Sequence, residues 1–181
     1  ITVNMVLNNR YVEQISEGFD AAIRVGELKD SSLRARKLTD TTVRLVASPD
    51  YLAKHGRPKR LDDLNDHKLL HYSTQSSSAV WKVTAPSGEK RQIRTTGCLS
   101  VNDGQSLLHA TVAGLGIAQL PSFLYHDAME TGLVQDVFPS FPKDTQGIYA
   151  VYPPGKFTQP KVRVFIDFLA QAFASKGPDN W

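Results

Sequence analysis

The run Thr41–Ala47 (TTVRLVA), followed without a spacer by Ser48-Pro49, constrains the fold of this chain more than any other stretch. Its β-branched, alternating residues read as a half-buried strand. Serine then stands as a helix N-cap with proline at the first helical position. A strand that passes directly into a helix opens a βα unit, and such units build sheets flanked by helices rather than bundles or sandwiches. The succession recurs downstream. Gly97–Val101 reads as a strand, Asn102-Asp103 as the cap of a helix with Leu107, Leu108, Thr111 and Val112 on its apolar face, and Gly114 as its stop. Ile117–Leu120 is a short apolar strand, and Pro121 starts a helix that runs to about Glu130 and stops at Gly132. Ile148–Tyr152 is a further strand and Pro153-Pro154-Gly155 a break. A last helix runs from about Thr158 to Phe173 with Val162, Phe165, Ile166, Leu169 and Phe173 as its inward stripe.

Upstream, Ile1–Leu7 alternates as a strand, and Tyr11, Val12 and Ile15 recur at helical spacing before Gly18. Phe19–Val25 is a buried, strand-like run closed by Gly26, and Leu33–Leu38 reads as an edge strand. Between the two halves lie a short helix Pro49–Lys54, a helical turn about Leu61 and Leu64, and a strand Lys68–Tyr72. A serine-rich loop, Ser73–Ser78, follows. Val80–Thr84 and Lys90–Arg94 flank Ala85–Glu89 as a β-hairpin. The alternation predicts an α/β protein with largely parallel sheets.

A chain of 181 residues with 41% hydrophobic and 22% charged residues is neither disordered nor fibrous, and it can bury a core as one domain or two small lobes. No apolar run approaches the roughly 20 residues of a membrane span, and no secretory leader opens the chain. Cys98, the one cysteine, cannot form an internal disulfide, which fits a cytoplasmic location. The first residue is Ile1 rather than methionine, as expected of a piece of something longer. The formal net charge is +3, but the bases are dispersed. Lys54, Arg57, Lys59 and Arg60 run straight into Asp62, Asp63 and Asp66, the pattern of a solvated surface rather than a phosphate stripe. Lys90, Arg91 and Arg94 alternate with Gln92 and Ile93 as an exposed strand would.

No catalytic constellation holds. Gly114-Leu-Gly116-Ile-Ala-Gln119 starts like a dinucleotide fingerprint but lacks the third glycine and follows a helix, so it reads as a helix stop. Neither a P-loop nor a nucleophile elbow is present. None of the 5 histidines stands in metal-ligand spacing with a second histidine or a cysteine. His67 and His71 are four apart on a strand entry, where their side chains share a face without meeting. Cys98, on a strand between Gly97 and Leu99, reads as a buried structural residue. The expectation is a protein that is not an enzyme and holds no cofactor or metal.

One segment points to a ligand. Val101-Asn102-Asp103-Gly104-Gln105-Ser106 is a strand end passing into a helix N-terminus, where backbone N–H groups and the helix dipole favour an anion. Asn102, Gln105 and Ser106 add hydrogen-bonding side chains, while Asp103 opposes an anion unless it caps the helix. Arg24, at the end of Phe19–Val25, is either an exposed cation or a carboxylate partner reaching into a crevice.

These residues also carry a resemblance. Glu17-Gly-Phe-Asp-Ala-Ala-Ile-Arg-Val-Gly26 resembles the E-G-x-D-x-A-I-R-x-G signature of the effector-binding domain of LysR-type transcriptional regulators. Leu45–Gly56, Leu61–Leu70, Asn102-Asp103 with Ala113–Pro121, and Pro160–Leu169 are similar to successive segments of the same domain, in the same order. The resemblance implies two Rossmann-like α/β lobes of periplasmic-binding-protein type II-like fold, joined by two crossover strands at Val43–Ala47 and Ile148–Tyr152. Lobe one would be residues 1–46 plus 149–181 and lobe two 47–148. It implies a small-molecule effector, an anionic carboxylate or aromatic acid, in an interlobe cleft lined by Arg24, Val25, Gly26, Ser48, Asn102, Gln105 and Ile117. DNA would be bound only through an N-terminal winged helix-turn-helix, which does not occur in this sequence. The first strand and helix of lobe one are likewise absent. The expected partners include a second copy in a homodimer, and a tetramer in the full-length protein; no membrane partner is expected. The competing readings are a solute-binding protein of a transport system, which needs a secretory leader, and an enzyme on the same fold, which needs a reactive constellation.

Overall fold

A computed structural model describes residues 2–7, 18–28, 32–73, 80–95, 97–154 and 159–175. The expected helix around Tyr11, Val12 and Ile15, most of the serine-rich loop and the expected helix start at Thr158 lie outside the described residues. In chain order the elements are β1 (Ala22–Val25), β2 (Arg34–Ala47), α1 (Pro49–His55), a 3₁₀ turn (Leu61–Asp66), β3 (Leu69–Tyr72), β4 (Val80–Thr84), β5 (Lys90–Arg94), β6 (Leu99–Val101), α2 (Gly104–Val112), β7 (Ile117–Pro121), α3 (Ser122–Glu130), β8 (Gln135–Asp136), β9 (Asp144–Tyr152) and α4 (Pro160–Ala174). The chain divides into two compact units, Ile1–Thr41 with Thr145–Trp181, and Thr42–Asp144. β2 leads from the first unit into the second, and β9 leads back.

In the second unit, β3 is parallel to β7 on one side and to β6 on the other. The last part of β2 runs antiparallel to β7 and to β8. Alternating side chains divide the core between two faces of this ladder, as the period of a strand requires. Leu45, Leu69 and Ile117 point to a cluster with Tyr51 and Leu52 of α1, Leu61 and Leu64 of the 3₁₀ turn, and Trp81, Val83 and Ile93 of the β4–β5 hairpin. Val46, Leu70, Ala118 and Leu120 point the other way, onto Leu107 and Leu108 of α2 and Tyr125 of α3. Both faces are covered, which is why these strands read as near-continuous apolar runs. Each fully buried leucine contributes roughly 1.5–3 kcal/mol relative to exposure.

In the first unit, β1 pairs antiparallel with β9, Ala22 opposite Val151 and Val25 opposite Ile148. α4 lays Val162 and Ile166 against Ala150, Leu38 and Tyr152. Phe165, Leu169 and Phe173, expected to face inward, are only half-buried, while Val164 and Phe168 are exposed. Lys161 reaches Asp20 at 2.7 Å, and Arg36 of β2 pairs with Asp167 of α4.

The structure departs from the expectations at several points. Thr2–Leu7 forms no strand and is exposed. The expected strands Leu33–Leu38 and Thr41–Ala47 are one 14-residue strand, β2. The pairing is mixed rather than largely parallel, since β1, β2 and β8 all run against their partners. Cys98 sits in a bend before β6 and is exposed, not buried.

Two local contacts hold the second unit's ladder. The Ile117 N–H donates to the Lys68 carbonyl at 2.9 Å, and a Cβ on Gly116 would lie 2.3 Å from that same oxygen. Gly116→Ala is therefore expected to cost about 1–3 kcal/mol by forcing β7 away from β3, read from the denaturant midpoint. The second contact is the Tyr51 hydroxyl, which accepts the Lys68 N–H at 2.9 Å and lies 3.2 Å from His67 Nδ1. Which of the two groups donates in the Tyr51–His67 contact follows from which imidazole nitrogen carries the proton. Burial lowers the His67 pKa from its ordinary value of 6.5, and the neighbouring His55 lowers it further, against Asp66 and Asp63. Because the folded pKa lies below the unfolded one, the unfolded chain takes up more protons as pH falls through the unfolded value. Stability is expected to drop as pH falls below about 6.5, and His67→Gln is expected to flatten that slope in unfolding titrations.

Candidate functional site

The ligand end of the second unit follows from strand register. Leu70 lies opposite both Ala118 of β7 and Leu99 of β6, and Tyr72 lies opposite Val101. The carboxyl ends of β3, β6 and β7 thus form one edge of the ladder. In an open α/β sheet this is the edge beside which ligands bind. α2 begins directly after β6 and α3 directly after β7, so both helices present their N-termini at this edge. They lie side by side: a Cβ on Gly104 would meet the Leu124 Cδ1 at 2.5 Å.

The two N-termini differ electrostatically. The Asp103 carboxylate accepts the Ser106 N–H at 2.7 Å and caps α2, so that terminus carries its own negative charge. α3 has Pro121 at the cap position and no side-chain cap, with Ser122 buried and Phe123 42% exposed in its first turn. An added anion is repelled by Asp103 at α2 and meets no such charge at α3. Tyr72, at the end of β3, has its pKa raised by burial and then by the Asp103 charge, so the phenol stays a neutral donor. The Ser73 N–H donates to the Val101 carbonyl at 2.7 Å and ties β3 to β6 at the same edge.

The structure brings together two of the sequence-derived residues. Asn102 and Gln105 are exposed at this edge, either side of the Asp103 cap. Ser48 and Ile117 lie at the opposite end of the ladder, three or four residues or roughly 10 Å away at strand spacing. Val46 pairs with Ala118, so Ser48 falls beside the start of β7. It is 2% exposed, and its hydroxyl oxygen accepts the Tyr51 N–H at 3.2 Å as the cap of α1. Ile117 is 0% exposed and belongs to the core. Arg24, Val25 and Gly26 stand together at the end of β1 in the first unit, where Gly26 adopts a φ of 100° and donates its N–H to Gly147 O at 2.9 Å. Arg24 is half-buried and Val25 exposed. Sequence reasoning missed Tyr72, Ser73 and the start of α3. Their signal was the strand ends at Tyr72 and Leu120, whose alignment depends on pairing and is invisible in the chain.

A shallow cavity of about 30 Å³ lies on the hairpin face of the same unit, lined by residues including Arg44, Gln119, Phe138, Phe141 and Lys143. Arg44 pairs there with Asp136, and Phe138 stacks on Phe141 at 4.4 Å. This space admits a water or two rather than an organic ligand.

A family model described as the LysR substrate binding domain matches residues 1–174. The transcriptional regulator CrgA of Neisseria meningitidis serogroup C is 35% identical over 172 residues, covering 94% of this chain and 57% of its own length. The transcriptional activator AaeR of Escherichia coli K12 is 30% identical over 177 residues, covering 98% of this chain and 57% of its own. Among solved structures, the CrgA regulatory domain aligns with a TM-score of 0.75 at 33% identity, over 90% of this chain and 79% of that one. The full-length Vibrio cholerae virulence activator AphB aligns with a TM-score of 0.73 at 33% identity, over 86% of this chain and 52% of that one. The chain spans about half the length of the curated relatives it matches. No helix among the described residues is long and apolar enough to cross a membrane. The mixed α/β architecture is that of the periplasmic-binding-protein type II-like fold. Matched along almost its full length by the model, and by regulators at up to 35% identity, the chain belongs to the LysR substrate-binding domain family, the effector-binding domain of LysR-type regulators.

Proposed function

We propose that this chain is the sensory part of a LysR-type transcriptional regulator and binds a small anionic effector, a carboxylate or aromatic acid, to control transcription. The supporting observation is the pair of helix N-termini at the carboxyl edge of β3, β6 and β7, one capped by Asp103 and one without a side-chain cap. In this reading the effector's anionic end sits at the first turn of α3, and Asn102 and Gln105 donate amide hydrogen bonds to it. Phe123 and Tyr72 offer ring surface to an apolar body. The family resemblance also assigns Arg24, Val25 and Gly26 to effector contact, with Arg24 offering a guanidinium for a carboxylate. Ser48 and Ile117 act through the fold, as helix cap and core, rather than by touching the effector. Effector binding shifts the population of conformers and so the DNA engagement of a helix-turn-helix module, in a homodimer or a tetramer. The names of the relatives favour this over a solute carrier of a transport system, and over an enzyme.

A thermal-shift screen of aromatic and aliphatic carboxylates tests the reading. A true effector at about 100 times its Kd is expected to add roughly 2.7 kcal/mol of stability. Asn102→Ala and Gln105→Ala are expected to reduce that shift with little change in the unliganded protein. Ser48→Ala should lower baseline stability by about 0.5–2 kcal/mol through the lost cap and leave the ligand-induced shift intact. Asp103→Asn, which keeps the cap oxygen and removes the charge, is expected to tighten anion binding. A folded protein that no carboxylate stabilises, or one whose shift survives both amide truncations, would remove the proposed site.

A further inference from the structure

We propose that His126, Asp127 and Glu130, on the last turns of α3, form a binding site for a divalent transition metal of the zinc class. The site is separate from the effector edge, since these residues lie at the opposite end of the helix, and it stands or falls independently of that reading. His126 and Glu130 are four residues apart, which places them one turn above each other on the same helix face. The imidazole Nε2 and the Glu130 Oε1 are 3.3 Å apart. Two donors each about 2.0–2.2 Å from a tetrahedral metal are themselves about 3.3–3.5 Å apart, a spacing that this i,i+4 ion pair matches. The Asp127 carboxylate stands alongside, and one ligand atom from each of the three residues lies within 4.8 Å of the others.

The local electrostatics favour a cation over an anion. Asp127 and Glu130 occupy the C-terminal end of α3, next to Thr131, where the helix dipole is negative and carboxylates are disfavoured. No lysine or arginine forms an ion pair with either carboxylate among the described residues. The Thr131 N–H and hydroxyl both bond the Asp127 carbonyl, which leaves its carboxylate outside the helix-capping arrangement. A protonated His126 would relieve this in part as an ordinary i,i+4 ion pair; a dication relieves it more fully and uses all three side chains. One imidazole nitrogen and two carboxylate oxygens, with water in the remaining position, is a donor set suited to zinc. It is too small and too nitrogen-rich for calcium, which takes 6–8 oxygens.

Isothermal titration of the chain with Zn²⁺ near neutral pH, with His126→Ala, Glu130→Gln and Cys98→Ser titrated alongside, tests this. All three ligand positions are exposed, and so is Cys98, so the variants are expected to fold as the parent does, which circular dichroism verifies. The expected result is one saturable site per chain below about 1 mM, weakened about tenfold or more in His126→Ala and in Glu130→Gln, and unchanged in Cys98→Ser. Absence of saturable binding, loss of it only in Cys98→Ser, or equal binding by His126→Ala and the parent would each overturn the site.

Discussion

The close approach of β7 to β3 at Gly116 sets most of what the second unit can do. With no side chain at that position, the Lys68 carbonyl reaches the Ile117 N–H, and that bond opens the parallel register of β3 with β7, while β6 pairs with the other edge of β3. Register in turn decides which faces and ends share neighbours. Leu69 and Ile117 go to the hairpin side and Leu70 and Ala118 to the helix side, so a slip of one residue would bury neither set correctly. The same register brings Tyr72, Val101 and Pro121 to one edge, and with them the starts of α2 and α3.

Charge is organised locally rather than as a field. Arg57, from the densest basic stretch, donates to the carbonyls of Asp136 and Val137 and to the Gln135 side chain, clamping the segment around β8. Asp136 in turn pairs with Arg44 and accepts the Phe138 N–H at 2.9 Å. Arg60 pairs with Asp63, and Arg91 with Asp62. These bases are committed to the fold's own acids and carbonyls. The alternation of basic and acidic residues between Lys54 and Asp66 is the linear trace of that arrangement. At the end of α3, Asp127 and Glu130 instead lie beside a histidine, His126.

Helix boundaries and turns were legible because they depend on a few consecutive residues. Ser48-Pro49 starts α1, Asp103 caps α2, Gly114 stops it with a φ of 76°, and Val80–Thr84 and Lys90–Arg94 pair residue for residue across their turn. The strand–helix order and the family signature likewise reside in the linear chain. Cys98 is exposed because it stands in a bend ahead of β6, on the same side of the chain as the exposed Ser100. Thr2–Leu7 alternates as a strand would, but alternation by itself supplies no pairing partner. His126 and Glu130 escaped notice because a search for paired histidines and cysteines overlooks a carboxylate one helical turn away.

The candidate site separates the two kinds of information. By itself the sequence determined that Asn102, Asp103 and Gln105 surround a helix start, that Ser48 caps another, and that Ile117 begins an apolar strand, since each is a property of neighbours in the chain. Only the tertiary structure decided that Ser48 and Ile117 lie at the far end of the ladder from Asn102 and Gln105, and that the start of α3 lies beside the start of α2. The reason is strand direction. β2 runs against β7, while β3 and β6 run with it, so equivalent-looking strand-to-helix junctions fall at opposite ends. Hydrogen bonds between residues far apart in the chain set those directions, and local spacing does not encode them.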